Sequence, residues 1–124
     1  MPCRTCQCWG MAATDPCWLV SEGHVLASAE RARDRRTRAH GLLGRDGVDG
    51  AFVIAPCRSI HTIGMKFHLD VAFLDANGLV LKTVRMRRNR IGLPVWKART
   101  VVEAEAGAFE RWGLHVGDQV ELRE

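Results

Sequence analysis

The sequence predicts an α+β fold that is mainly β, namely a compact antiparallel β-sandwich or barrel-like domain with one main helix packed on it and one short helix near the C-terminus. Short apolar runs separated by turn signals recur along the chain, and one segment in its first third has helical spacing. Strands and helices do not alternate regularly, so a parallel doubly wound sheet is not expected. With 124 residues, the chain is long enough for one such domain.

The first part of this domain predicts a hairpin and the main helix. Short apolar runs at 17–20 and 24–27 flank a Ser-Glu-Gly turn and indicate two paired strands. Ser28 is a suitable N-cap, and alanines, leucines and an arginine stem then recur at helical spacing until Gly41 and Gly44. We therefore predict that the main helix begins at Ser28 and ends at these glycines.

The rest of the chain is rich in strand signals. Residues 51–55 form a continuous apolar run, which is typical of a strand buried on both faces. Segment 75–78, with the sequence D-A-N-G, is the clearest hairpin turn. The remaining predicted elements are short strands at 60–63, 71–74, 79–86, 100–104 and 119–122 and a short helix at 106–112.

Composition and the N-terminus limit the class of protein. The chain is 47% hydrophobic and 26% charged, which is ordinary for a soluble globular protein. No apolar run approaches the roughly 18 residues that cross a bilayer, and the N-terminus does not resemble a signal peptide. We therefore expect a cytoplasmic protein without membrane insertion. Residues 1–16 lack periodicity and predict a flexible cysteine-containing arm, followed by a single β-rich domain over 17–124.

Three motifs occur in the order found in one known family. They are R-A-H-G-L-L-G-R at 38–45, H-T-I-G-M-K-F-H-L-D-V-A-F-L-D at 61–75, and E-A-E-A-G-A-F-E-R-W-G-L-H-V-G-D at 103–118. Over residues 17–122 the chain resembles the domain of unknown function 192, a family of small uncharacterised bacterial and archaeal proteins. The resemblance implies a mainly β domain and implies no established activity.

Asp70 is the sharpest single candidate for a site. It opens an otherwise apolar strand, where an ionised carboxylate must find a partner. Backbone amides or an arginine such as Arg38 or Arg45 would satisfy it, and a ligand would do so as well. Our first hypothesis is a non-enzymatic binding or accessory domain with a small polar pocket for a small anion, a metal or a segment of a partner protein. The candidate ligand-binding residues are His61, Thr62, His68, Asp70, Arg38 and Arg45.

The same segment also carries soft donor atoms. Cys57, His61, Met65 and His68 combine thiolate, imidazole and thioether groups, which suit copper(I) or, without the methionine, zinc. Packing and polar support are the alternative explanation, and no resident cofactor is predicted. In the arm, Cys3, Cys6 and Cys8 form CxxC followed by CxC, which is consistent either with a metal or redox role or with reduced thiols.

An enzyme is the less favoured hypothesis. A hydrolase would use His61, His68 and Asp70, with or without a metal, and His61 with Asp70 could act as an acid–base pair. The sequence contains no G-x-S-x-G nucleophile motif, and Cys57 stands in no recognisable protease context.

Two arginine clusters support a different function, nucleic-acid binding. Clustered arginines neutralise phosphates regardless of base sequence, whereas a solvated helix face is the alternative explanation for the first cluster. The net charge of +4 is compatible with both. The residues that would carry this function are Arg31, Arg35, Arg38, Arg85, Arg87, Arg88 and Arg90.

Overall fold

The computed structural model describes residues 14–124, and this part of the chain is mainly β, as predicted. Short apolar strands, and the turns that connect them, decide which strands pair with each other. The hairpin turn after residue 74, for example, forms because the Asp75 carboxylate accepts hydrogen bonds from the Asn77 and Leu79 amides. The elements in chain order are β1 (Thr14–Ser21), β2 (His24–Ala32), α1 (Arg35–His40), β3 (Ala51–Ile54), β4 (Leu69–Leu74), β5 (Val80–Met86), β6 (Thr100–Glu105), α2 (Ala108–Trp112) and β7 (Val120–Arg123).

The strands form one curled sheet with the order β5-β4-β6-β3-β2-β1-β7. Every pair of neighbours is antiparallel except β2 and β3, which are parallel. The two outer strands meet at one end, where the Val80 amide donates to Asp118 O at 2.9 Å and the Val120 amide donates to Gly78 O at 2.9 Å. The barrel-like prediction is therefore confirmed as a half-barrel, and the described residues form no second sheet of a sandwich.

Apolar side chains cover both faces of this sheet. The inner face gathers residues from all seven strands, including Leu19, Val53 and Val102. The outer face of the central strands carries a second cluster, which includes Phe52 and Val71. Connecting segments, rather than a long helix, pack over this outer face and build the site described below.

The predicted main helix is much shorter than the sequence suggested. Residues 28–32 lie in β2, and α1 has six residues, Arg35–His40. Its N-cap is Asp34 rather than Ser28, since the Asp34 side chain accepts from the Thr37 amide at 2.8 Å. The helix-favouring Ala-Glu-Arg-Ala sequence is strand because β2 has partners on both sides, β1 and β3. Sheet pairing overrides weak local preference here.

The structure differs from the prediction at the start of the domain and agrees with it at the short C-terminal helix. Residues 14–16, assigned to the arm, belong to β1. The rest of the arm, with Cys3, Cys6 and Cys8, lies outside the described residues. The short C-terminal helix is confirmed as α2. Within residues 14–124 no helix is long and apolar enough to cross a membrane.

Candidate functional site

A cleft of about 430 Å³ opens on the outer face of the sheet. One wall is the segment 35–43, which contains α1, and the opposite wall is the loop 56–65. Ile54 of β3 and Leu69 of β4 lie beneath, and Leu42 and Met65 add to the apolar lining. The cleft is therefore apolar over most of its surface.

Glu103 of β6 is the acidic group of this cleft. It faces outward together with its cross-strand neighbours Phe52 and Val71, and it is 3% exposed. No hydrogen bond or ion pair joins its carboxyl group to any of residues 14–124. Gly41 lies next to this carboxyl group, since a Cβ atom at position 41 would be 4.0 Å from Glu103 Oε1, an ordinary van der Waals distance. A buried carboxyl group that has no partner among the described residues thus lines an open cleft.

The environment of Glu103 changes its acidity. Burial disfavours the charged form and raises the pKa of the carboxyl group to about 7. The group is therefore divided between its acid and its carboxylate at neutral pH. In the first form it can donate a hydrogen bond, and in the second it can accept one or pair with a cation. Perturbed carboxyl groups in clefts are characteristic of functional sites.

Cys57 lies in the same cleft, and its surroundings do not activate the thiol. Its thiol donates a hydrogen bond to Ser59 O at 3.2 Å. Burial raises the pKa of the thiol, and the nearby charge of Glu103 raises it further. The thiol is therefore protonated at neutral pH, which does not favour a role as nucleophile.

Basic and imidazole side chains line the mouth of the cleft. Arg35, Arg38 and His40 come from α1, and His61 comes from the opposite loop. The guanidinium groups of Arg35 and Arg38 form no hydrogen bond or ion pair with the described residues. Among those residues that line the cleft, Glu103 alone is acidic, so negative charge lies below and positive charge lies at the rim.

The structure brings together only part of the predicted polar pocket. His61 and Arg38 line the cleft, but Asp70 lies on the inner face, one residue from the outward-facing Leu69 and Val71. Its carboxylate accepts from Arg85 Nε at 3.0 Å and from the amides of Gly107 and Phe109 at 2.9 and 3.2 Å. Amides and an arginine do satisfy it, although the arginine is neither Arg38 nor Arg45. His61 and Asp70 therefore do not form the acid–base pair considered for a hydrolase.

Thr62 joins two loops and is fully buried. Its hydroxyl donates to Arg87 O at 2.5 Å and accepts from the Arg90 amide at 2.9 Å. Its own amide donates to Arg90 O at 2.7 Å. Thr62 therefore fixes the loop that presents His61 and is not available to a ligand.

The other two predicted pocket residues also have structural partners. His68 is exposed, and its Nδ1 accepts from the Arg88 amide at 3.0 Å. Arg45 makes two hydrogen bonds to the Glu30 carboxylate, at 2.8 and 3.1 Å, and its guanidinium lies 5.4 Å from the centre of the Phe52 ring. Neither side chain lines the cleft above Glu103.

The predicted metal ligands are only partly adjacent. Cys57, His61 and Met65 line the cleft, whereas His68 is not among the lining residues. Residues 14–124 contain no group of three or more His, Cys, Asp or Glu side chains placed to hold a metal ion. Zinc or copper binding stays a prediction.

A second surface is strongly basic. Residues 76–102 contain seven Lys or Arg side chains and no Asp or Glu. A groove of about 360 Å³ runs between β5 and the following loop, lined by Lys82, Arg85, Arg87 and Arg90 together with apolar residues. Among the described residues, each arginine cluster has one member in an ion pair, since Arg85 pairs with Asp70 at 3.0 Å and Arg31 of the first cluster pairs with Glu124 at 3.3 Å.

Comparison with known proteins establishes the family. Residues 18–122 match the profile of DUF192, described as "Uncharacterized ACR". The chain belongs to the DUF192 family. This membership confirms the resemblance seen in the three sequence motifs, and it brings no assigned activity to the DUF192 chain. No curated protein matches it significantly.

Two solved structures share the fold of this DUF192 protein. One is a protein of unknown function from Novosphingobium aromaticivorans, 20% identical, with a TM-score of 0.71 over 87% of this chain and 84% of that one. The other is described as a candidate transcription regulator from Sinorhizobium meliloti, also 20% identical, with a TM-score of 0.73 over 90% of this chain and 95% of that one. At this identity the similarity concerns the fold.

Sequence reasoning missed Glu103, although a signal was present. The acid stands in T-V-V-E-A-E, between apolar residues of a predicted strand, as Asp70 does in its own strand. A carboxylate in a buried strand must find a partner, and this requirement holds for Glu103 as it does for Asp70. Glu103 is the one whose partner is absent from residues 14–124.

Proposed function

We propose that this DUF192 protein binds a small organic ligand in the cleft above Glu103. The observation that carries the proposal is the Glu103 carboxyl group, which is 3% exposed, has no hydrogen bond or ion pair with the described residues and lines an open cleft that is apolar over most of its surface. Buried polar groups in proteins almost always have a hydrogen-bond partner. A ligand with an apolar body and a polar group directed at Glu103 would supply that partner.

A purely structural role explains Glu103 poorly. Burying a carboxyl group without a partner costs free energy, and an apolar side chain between Phe52 and Val71 would avoid that cost. Residues that reduce stability in this way are typical of functional sites. The size of the cleft, about 430 Å³, falls in the range of small-molecule sites.

Binding is favoured over catalysis by the groups around Glu103. The Cys57 thiol has its pKa raised by burial, which keeps it protonated. No hydrogen bond connects Glu103 with Cys57 or His61, so the described residues contain no nucleophile–base pair in this cleft. We therefore propose a binding protein and not a hydrolase.

Small amphipathic probes test the proposal. Hexanol, hexanamide, hexylamine and hexanoate each combine an apolar body with one polar group, and binding is measured by thermal shift and by NMR titration. We expect at least one probe to raise the melting temperature and to perturb the signals of cleft residues. The matched variant Ser59→Trp, at the exposed rim, should block the cleft and abolish these effects without unfolding the protein. If no probe perturbs the cleft signals of the unmodified protein, the proposal is wrong.

Nucleic-acid binding is a second candidate function, favoured by the basic stretch 76–102. The side chains of Arg87 and Arg88 form no ion pair with the described residues, and the Sinorhizobium meliloti structure of similar fold is described as a candidate transcription regulator. Clustered arginines of this kind bind phosphates through counterion release.

The salt dependence of binding to a duplex DNA of arbitrary sequence tests this function. The double variant Arg87→Gln/Arg88→Gln should weaken binding and reduce the slope of log K against log[salt] by about 2, because two phosphate contacts are lost. Arg58→Gln, an exposed arginine on another loop, is the control and should leave the slope unchanged. Equal slopes for all three proteins would count against a DNA-binding role for this stretch.

A further inference from the structure

We infer that the ligand of the Glu103 cleft carries two charged ends, an ammonium group that pairs with Glu103 and an anionic group that lies between Arg35 and Arg38 at the mouth. This inference rests on the proposed function and specifies the ligand class. Small ω-amino acids and related amine–anion molecules have this chemistry. Three features of the cleft favour such a ligand, namely its acidic interior, its basic rim and its apolar lining.

The deep end of the cleft favours a cation once the carboxyl group is ionised. Glu103 is surrounded by the apolar side chains of Phe52 and Val71 on the neighbouring strands and has no partner within residues 14–124. An ammonium group brings three hydrogen-bond donors and the opposite charge, whereas a hydroxyl or amide brings donors alone. Hydrogen bonds to charged groups are the stronger kind, so the ammonium gains most from this site.

The mouth of the cleft favours an anion. Arg35 and Arg38 stand one helical turn apart on α1, which places them on the same side of the helix, and both line the cleft. Neither guanidinium group forms a hydrogen bond or ion pair with an acid among the described residues, although the hydrogen bond from the Thr37 amide and, to a smaller extent, the nearby charge of Arg38 lower the pKa of the Asp34 carboxyl group. Guanidinium groups bind carboxylates and phosphates with two parallel hydrogen bonds. A ligand that offered only a cation would leave this basic rim unpaired.

The two charged regions are separated by apolar lining. Leu42, Ile54, Met65 and Leu69 line the cleft together with Glu103 and the arginines. A methylene chain between the two ends of the ligand would cover these side chains and bury apolar surface. Neither rim arginine forms a hydrogen bond or ion pair with Glu103, and burial is the cause of the raised pKa of the Glu103 carboxyl group.

The charged and titratable groups around Glu103 decide how binding depends on pH. The segment 35–43 contributes Arg35, Arg38 and His40, and the loop 56–65 contributes Cys57 and His61. Of the residues that the strands contribute to the lining of the cleft, only Glu103 is titratable. Ionisation of Glu103 favours the ammonium as the pH rises. A Glu103→Gln variant removes this effect and leaves every other lining group in place.

The test uses γ-aminobutyrate, ε-aminocaproate and ω-aminocaprylate as probes, with hexylamine, hexanoate and hexanol as one-ended controls. Affinities are measured by calorimetry or NMR titration. We expect the best amino acid to bind about tenfold or more tightly than either charged control, since it gains a second charge-assisted contact. In the Glu103→Gln variant its advantage over hexanoate should disappear, and in Arg35→Gln/Arg38→Gln its advantage over hexylamine should disappear.

Arg36 provides the matched control, because it lies between these arginines on α1, is exposed and does not line the cleft. Arg36→Gln should leave every affinity unchanged.

The pH dependence of binding gives a second test. The affinity of the unmodified protein for an amino acid, divided by the affinity of Glu103→Gln for the same amino acid, should rise by about tenfold per pH unit below neutrality and level off above it. If one-ended or neutral probes bind in the cleft as tightly as the amino acids, this inference is wrong and the proposed function stands. If no probe binds there, both are wrong.

Discussion

Replacing Glu103 with glutamine is expected to remove a large part of the pH dependence of the free energy of unfolding. The pKa of Glu103 is about 7 in the folded protein, against its ordinary value of 4.5. The folded state therefore binds the proton more tightly than the unfolded state. The resulting stability is fully present below about pH 4.5 and is lost as the pH rises to about 7. A difference of this size corresponds to about 3 kcal/mol.

Urea unfolding at a series of pH values from about 4.5 to about 8 measures this effect. The unmodified protein should lose stability across the interval, and Glu103→Gln should lose about 3 kcal/mol less. Glu110→Gln, an exposed glutamate on α2, is the control and should follow the unmodified protein. The comparison concerns the change with pH, since a buried glutamine amide has a cost of its own at every pH. Parallel curves for all three proteins would show that Glu103 is not a buried titrating group.

Sequence reasoning succeeded where local chemistry decides the structure. The D-A-N-G sequence at 75–78 predicted a hairpin turn between two apolar strands, and the turn forms because Asp75 accepts hydrogen bonds from the amides that follow it. It failed where a distant partner decides. Residues 28–32 have helical preference, but β1 and β3 are available on both sides of them, and the extended conformation results.

The same distinction separates the two acids that stand in apolar strands. Asp70 and Glu103 have similar local sequences, so the pattern alone does not say which one is satisfied. Asp70 faces the N-terminus of α2 and finds two amides there, while Glu103 faces outward beneath a cleft. His61, Arg38 and Cys57 were predicted as site residues from their chemistry and do line that cleft. Their neighbour Glu103 comes from β6, 42 residues after His61 and 65 residues after Arg38, and such proximity is fixed by sheet order rather than by spacing.

Replacing Asp70 with alanine is expected to destabilise the protein by about 3 kcal/mol, because two amide groups at the start of α2 lose their acceptor in a buried environment. The amides are those of Gly107 and Phe109, which lie 2.9 and 3.2 Å from Asp70 Oδ2. The third partner, Arg85, has a side chain that is 60% exposed, so its ion pair is screened by water. The amides, rather than the ion pair, should therefore account for most of the loss.

The variant Arg85→Gln separates these contributions. It removes the ion pair and keeps both amide contacts, so we expect it to cost less than about 1 kcal/mol in the same urea titration. If Arg85→Gln were as damaging as Asp70→Ala, the ion pair and not the amide capping would hold this part of the fold.

Because Asp70 and Glu103 lie on opposite faces of the sheet, a folded Asp70→Asn protein should keep its affinity for any probe bound in the cleft. An acid–base pair between His61 and Asp70 would predict the opposite, and this measurement therefore tests the division between a structural acid on the inner face and a ligand-binding acid on the outer face.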